Sequence, residues 1–248
     1  VKIIYYNQGE DTAFWLAGLR AALPRAEIRP WLLGDDAPAD YALVWKPPTA
    51  MLADRTDLKA IFNLAAGVDA LLGMGNDLPQ NVPIIRLEDA GMAVQVAEFA
   101  SHAVLRYFRR FDEYDMQARS REWKFLPSQN KRDFTVGIMG LGVIGTRVAQ
   151  ALLHFGFPVR GWSRSKKSVP GVQCFTGNDS LDDFLQETKV LICLLPLTTE
   201  TAQILSVDTL GKLAYGAYLI NLGRGEHLVE TDLLAALGSG QITAATLD

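Results

Sequence analysis

Apolar residues fall along this chain in short continuous runs, and these alternate with stretches of helical period. Residues 2–6, 28–32, 41–45, 58–64 and 82–87 are such runs in the first third. Asp11 and Thr12 are placed to cap a helix carrying Phe14, Trp15, Leu19 and Leu23. Later, residues 134–139, 189–195, 217–222 and 242–247 have the length and apolar content of strands buried on both faces of a parallel sheet. Between them, residues 143–155 read as a helix whose apolar face holds Val143, Ile144, Val148, Leu152 and Phe155. Residues 180–186, with Ser180 as N-cap, and 230–237 read as two more. Strand and helix in alternation with short loops predict an α/β fold, parallel sheets with helices on both faces, in which ligands approach the carboxyl ends of the strands.

Residues 91–111 read as one long helix. Met92, Val96, Phe99, Ala103 and Tyr107 share one side, and Val94, Ala97, Val104 and Phe108 fall near another. A helix apolar around so much of its girth needs cover on more than one face, so it runs between two domains or between two subunits. Arg106, Arg109 and Arg110 read as a solvated basic end. Residues 112–132 are polar with isolated anchors at Trp123, Phe125 and Leu126, and read as a lid, a dimer arm or a surface loop.

Composition narrows the class. The 248 residues carry 24 Lys and Arg against 28 Asp and Glu, a net charge of −4, which argues against a nucleic-acid surface. Apolar runs such as residues 190–195 are too short to span a bilayer, and no secretory signal precedes the first strand, so a cytoplasmic protein is expected. Cys174 and Cys193 are the only cysteines, Cys193 reads as a core residue, and no His/Cys/carboxylate spacing suggests a metal site.

The candidate chemistry starts at Phe134-Thr-Val-Gly-Ile-Met-Gly-Leu-Gly-Val-Ile-Gly145, where Gly140, Gly142 and Gly145 have the spacing G-x-G-x-x-G between a strand and a helix. In that context the first glycine permits a tight turn, the second lets a pyrophosphate touch backbone, and the third lets helix and strand pack closely. An acidic residue for the adenosine ribose is expected about 20 residues further on. Ser163 stands there instead, followed by Arg164, Lys166 and Lys167. A carboxylate would repel a ribose 2′-phosphate, whereas a guanidinium forks onto it, each charge-assisted bond contributing about 1.5–3 kcal/mol. The sequence therefore predicts NADP(H) over NAD(H); a solvated basic loop is the alternative.

Three further positions lie at expected strand ends. Trp45 and the Ala66-Gly67-Val68 loop could contact a small substrate, the loop by turning backbone N–H groups toward a carboxylate; packing and a plain turn are their alternatives. Arg224 lies between Gly223 and Gly225 and could bind a substrate carboxylate and polarise the adjacent ketone, or could serve only as a capping or surface arginine.

Gly140-Leu-Gly-Val-Ile-Gly145, Leu194-Leu-Pro-Leu-Thr-Thr-Glu-Thr201, Asn221-Leu-Gly-Arg-Gly225 and Leu247-Asp248 follow one another as in the D-isomer-specific 2-hydroxyacid dehydrogenases, which the whole chain resembles. Val96-Ala-Glu98 and Ala66-Gly-Val-Asp69 match as well. Trp45-Lys-Pro-Pro48, Arg109-Arg-Phe-Asp112 and Trp162-Ser-Arg164 resemble its glyoxylate/hydroxypyruvate reductase branch in particular. The resemblance implies two Rossmann-like domains with doubly wound parallel sheets, joined by the long helix. Residues 1–100 would form a flavodoxin-like substrate domain and residues 101–248 an NADP(H)-binding domain. It implies that Arg224 binds and polarises a small 2-oxo acid, that Ala66 and Gly67 hold its carboxylate, and that Trp45 shapes the pocket. It further implies that Val143 and Ile144 meet pyrophosphate, that Leu195, Pro196, Thr201 and Gly223 line the cofactor cleft, and that Asp248 bonds the nicotinamide carboxamide. A homodimer through the long helix and the Trp123 arm also follows. The family's general-acid histidine and its glutamate partner fall after the position of Asp248. His102, His154 and His227 do not match that histidine; His227 reads as a helix-start residue, and the other two as packing or solvent residues. A truncated chain is one expectation, and a nucleotide-sensing binding protein or inactive fragment on the same scaffold is the alternative reading.

Overall fold

Every buried apolar run becomes a parallel strand in this computed structural model, which describes residues 1–9 and 11–248. The chain divides into two units, Val1–Ala90 and Gly91–Asp248. In the first, β1 (Lys2–Asn7), β2 (Glu27–Pro30), β3 (Tyr41–Trp45), β4 (Ala60–Asn63) and β5 (Ile84–Arg86) form one sheet in the order β2-β1-β3-β4-β5. This is the flavodoxin-like order, with its switch point between β1 and β3. Period-two alternation sends Ile3 and Tyr5 to one face and Ile4 to the other. Helix α1 (Thr12–Ala22) covers the first face, and α2 (Thr49–Leu52) and α3 (Asp69–Leu72) supply Met51, Leu52 and Leu71 to the second. Asp11 caps α1 as expected, its Oδ1 accepting from the N–H groups of Ala13 at 3.0 Å and Phe14 at 3.2 Å. The apolar face of α1 differs from expectation: Phe14 and Trp15 are exposed, and Leu16 and Leu19 make the core contact. An apolar groove of about 720 Å³, lined among others by Ile3, Leu43, Phe62 and Ile85, leaves part of that sheet face open.

The second unit begins with α4 (Met92–Phe108) and α5 (Phe111–Ser120). Its sheet contains β6 (Val136–Met139), β7 (Val159–Ser163), β8 (Val172–Thr176), β9 (Val190–Cys193), β10 (Ala217–Asn221) and β11 (Ile242–Leu247). They align as β11-β10-β9-β6-β7-β8, all parallel, which is the order 3-2-1-4-5-6 of a dinucleotide-binding sheet read from the opposite edge. Val136, Ile138, Val190, Ile192, Tyr218 and Ile220 point to the face covered by α4 and α6 (Val143–His154). Met139, Leu191, Cys193 and Leu219 point to the face covered by α7 (Leu181–Gln186), α8 (Val207–Gly211) and α9 (Glu230–Ser239). Burial on both faces is why these strands read as unbroken apolar runs. Burial also pushes the Cys193 thiol up to about 11, in keeping with a core role.

Several elements depart from the sequence reading. The long helix stops at Phe108, because Arg110 takes a left-handed backbone with φ 56°. Within the 112–132 stretch, expected as a polar arm or loop, α5 forms instead, with Asp112 and Glu113 in its first turn where the helix dipole favours them. Arg106 and Arg110 are not merely solvated: Arg106 pairs with Asp112 and Asp115, and Arg110 with Glu113. On α6 only Val148 and Leu152 of the expected stripe are fully buried; Val143 is 50% exposed and Phe155 39%. Ser180 occupies the N-cap position of α7 but does not cap it, since its hydroxyl donates backward to the Thr176 carbonyl at 2.9 Å. Strand β8 was not expected; it is a half-buried edge strand with a mixed pattern. Among the described residues no helix is long and apolar enough to cross a membrane. No group of three or more His, Cys, Asp and Glu residues among them is placed to hold a metal ion.

The backbone is closely packed at the junction of β6 and α6. Gly140 has φ +104°, and a Cβ there would lie 2.9 Å from the Leu194 carbonyl oxygen. A Cβ on Gly145 would overlap the Gly140 carbonyl, whereas one on Gly142 would meet open space. Gly145→Ala is therefore expected to lose about 1–3 kcal/mol of stability through overpacking, while Gly142→Ala stays within about 0.5 kcal/mol. Urea unfolding checks both, and equal effects would contradict the geometry. Phe134 packs with Tyr107, Phe108 and Phe157 at ring-centroid separations of 5.7, 4.9 and 5.8 Å, tying α4 to the sheet. Phe134→Ala should cost about 3–5 kcal/mol in the same assay; a loss below about 1 kcal/mol would show that this cluster is not the anchor of α4.

Candidate functional site

All expected residues of the second unit lie at the carboxyl-terminal edge of its sheet. Gly140, Gly142, Val143, Ile144 and Gly145 follow β6, and Ser163 ends β7, with Arg164 and Lys167 after it. Leu195, Pro196 and Thr201 follow β9, Gly223 and Arg224 follow β10, and Asp248 follows β11. The loops touch in sequence: Gly140 abuts the backbone of Leu194, and a Cβ on Gly223 would stand 3.3 Å from the Leu195 carbonyl oxygen.

At the start of α6 no side chain caps the helix. The N–H groups of Gly142, Val143 and Ile144 meet no acceptor among the described residues. Unsatisfied N–H groups, the positive end of the helix dipole and open space over Gly142 together make an anion cradle. A diphosphate fits it: it needs backbone approach without a Cβ in the way, and this turn supplies that.

Past β7, Ser163 is buried and its hydroxyl donates to the Ser165 carbonyl at 2.8 Å, shaping the turn. Arg164, Lys166 and Lys167 are exposed, and none makes an ion pair among the described residues. The charge of Arg164 reaches Glu200, whose carboxyl is held below its ordinary range first by a hydrogen bond from Thr198. In the loop after β9 the Thr201 hydroxyl donates to the Pro196 carbonyl at 2.6 Å and accepts from the Thr198 N–H at 2.8 Å. Thr201 thus fastens its own loop. Leu195 is buried, and Pro196 is exposed beside it. Asp248 is exposed, with its N–H donating to the Asn221 carbonyl at 3.1 Å.

The Arg224 loop is held by two residues that sequence reasoning did not assign this work. Asn221, 2% exposed at the end of β10, accepts from the Gly223 N–H at 3.2 Å and donates to the Arg224 carbonyl at 2.9 Å. His227 was expected to start a helix. It closes a 3₁₀ turn, Gly225–His227, with no exposed surface, and its Nδ1 lies 2.9 Å from the Arg224 N–H nitrogen. The Arg224 guanidinium donates to the Gly223 carbonyl at 2.9 Å and is half-buried. His102 and His154 lie exposed on α4 and α6.

The first unit uses the same device. Trp45 ends β3 at the switch point, and its carbonyl accepts from the Gln8 N–H at 3.2 Å. Lys46 stands 5.5 Å from the Trp45 ring centroid. After β4, buried Asn63 donates to the carbonyls of Ala65 at 2.6 Å and Gly67 at 2.7 Å, curling residues 64–68. The N–H groups of Ala66 and Gly67 find no acceptor among the described residues. The only sequence signal for Asn63 and Asn221 is a polar residue closing an apolar strand.

The NAD binding domain of the D-isomer specific 2-hydroxyacid dehydrogenases matches residues 101–248. Glyoxylate/hydroxypyruvate reductase A of Serratia proteamaculans is 54% identical over 252 residues, covering 100% of this chain and 80% of that relative. Two solved structures are similar along the whole chain and over 80% of their own. One is a D-isomer specific 2-hydroxyacid dehydrogenase from Xanthobacter autotrophicus Py2 in complex with NADPH and MES, with a TM-score of 0.93 and 38% identity. The other is the NADPH-dependent glyoxylate/hydroxypyruvate reductase of Sinorhizobium meliloti in complex with NADP and sulfate, with a TM-score of 0.91 and 34% identity. With the nucleotide cradle, the strand order and these similarities in agreement, the chain belongs to the D-isomer-specific 2-hydroxyacid dehydrogenase family.

Proposed function

We propose that this protein is an NADPH-dependent reductase of small 2-oxo acids, glyoxylate and hydroxypyruvate, giving glycolate and D-glycerate. The observation that carries the reading is Arg224, fixed at the end of β10 on the same sheet edge as the amide cradle after β6. NADPH, when bound, supplies the hydride. Gly142, Val143 and Ile144 hold its diphosphate through backbone N–H groups. Ser163, Arg164 and Lys167 hold the 2′-phosphate, and Leu195, Pro196, Thr201, Gly223 and Asp248 line the rest of its site. Arg224 pairs with the carboxylate of the 2-oxo acid and stabilises the negative charge that grows on the carbonyl oxygen. Within the first unit, the Ala66 and Gly67 N–H groups offer a carboxylate two donors, and Trp45 ends β3. We assign the proton donor to none of the three histidines: His102 and His154 are exposed on helices, and His227 is enclosed beneath Arg224. A homodimer is supported by the exposed Met92, Val94 and Phe99 on α4 and by Trp123, 90% exposed, after α5.

Because proton transfer is unassigned, the tests read binding. NADPH should bind about ten- to a hundred-fold tighter than NADH, and the Arg164→Ala, Lys167→Ala double variant should abolish that preference. Equal affinities in the unmodified protein would remove the 2′-phosphate clamp. Arg224→Ala should leave the NADPH affinity within about twofold and weaken oxamate, an unreactive 2-oxo acid mimic, by about tenfold or more on the nucleotide complex. Unchanged oxamate affinity would remove Arg224 from substrate binding. Sedimentation giving the mass of a single chain would remove the dimer.

A further inference from the structure

His227 has no surface exposed to solvent, and its ring lies against the backbone of Gly223, where a Cβ would stand 2.7 Å from Nδ1 and 2.9 Å from Cε1. Its own main chain is anchored: the Leu205 N–H donates to the His227 carbonyl at 2.9 Å, and Leu205 bridges in parallel to Leu228. The ring is therefore a fixed support, and the loop above it is what conforms.

Nδ1 of the ring faces the main chain of Arg224. The Arg224 carbonyl already accepts from Asn221 Nδ2 at 2.9 Å and from the His227 N–H at 3.2 Å, which fills both of its lone pairs. The Arg224 N–H points at Nδ1 from 2.9 Å. With both lone pairs of that carbonyl oxygen taken, Nδ1, which also lies 3.1 Å from it, serves the Arg224 N–H as acceptor, and Nε2, enclosed without a hydrogen-bond partner among the described residues, carries the ring proton. A proton on Nδ1 would face the Arg224 N–H donor.

We propose that His227, accepting through Nδ1, is a positioning residue for Arg224. It accepts the Arg224 N–H and, with Asn221, fixes the main chain from which the guanidinium reaches the 2-oxo acid. This rests on the reading of Arg224 as the substrate-binding cation. His227 touches neither substrate nor nucleotide; it acts through Arg224, by holding the donor before the acid arrives, so that ordering is not required on binding.

Two variants and one spectrum test the role. Asparagine places Oδ1 where Nδ1 stands, whereas leucine fills space and offers no acceptor. His227→Asn should keep oxamate affinity within about threefold, and His227→Leu should weaken it about tenfold, both with the NADPH affinity unmoved. Equal losses in the two variants, or no loss in His227→Leu, would overturn the role. Arg224→Ala, measured alongside, separates the two levels: if it weakens oxamate and His227→Leu does not, only the positioning role fails. If Arg224→Ala has no effect, the substrate reading itself fails, and the role of His227 with it. In the unmodified protein, ¹⁵N spectra of labelled histidine need neither ligand nor stable variant. They should show His227 Nδ1 unprotonated and Nε2 protonated; a protonated Nδ1 at neutral pH would overturn the proposal.

Discussion

The fold of the second unit turns on how closely one helix approaches one strand. At the β6–α6 junction the Gly145 Cα sits so near the Gly140 carbonyl that no side chain is admitted. That approach aims the start of α6 at the edge of the sheet and strands the first N–H groups of the helix. Stranded donors are a liability in a core, where each costs about 1–3 kcal/mol. At a sheet edge beside a switch point they become a binding surface instead. Gly142, which has space above it, keeps that surface open. Packing and recognition are thus two consequences of one contact.

A second constraint recurs in both units. Asn63 ends β4 and Asn221 ends β10, and each turns its side-chain amide onto the loop that follows. A loop leaving a buried strand loses its ladder partners, and a buried asparagine replaces them with donors and an acceptor fixed by the strand itself. Support of this kind holds the main chain of Arg224 in place. In the second unit the Arg224 N–H, which Asn221 does not reach, points at His227 Nδ1.

The sequence carried the architecture wherever period and punctuation agreed. The apolar run before Gly140 and the runs over residues 189–195 and 217–222 were legible because burial on both faces demands them. The cradle was legible because the three glycines stand at that spacing between a strand and a helix. Strand β8 was hidden by its place at the sheet edge, where half-burial mixes polar and apolar residues. The break at Arg110 gave no signal, since an arginine in a left-handed backbone looks like any other in the sequence. Asn63, Asn221 and His227 were illegible as supports for a deeper reason: their partners are backbone atoms of loops, and backbone atoms leave no trace in residue identity.

The central claim is that the uncapped amides at the start of α6 grip a nicotinamide dinucleotide phosphate. The most direct test follows the ¹H–¹⁵N signals of Gly142, Val143 and Ile144 while NADP⁺ is added to the protein. They are expected to move together, and with the largest shifts of the titration, as donors that had no protein acceptor acquire phosphate oxygens. NADP⁺ binding that leaves these three amides where they were would contradict the account.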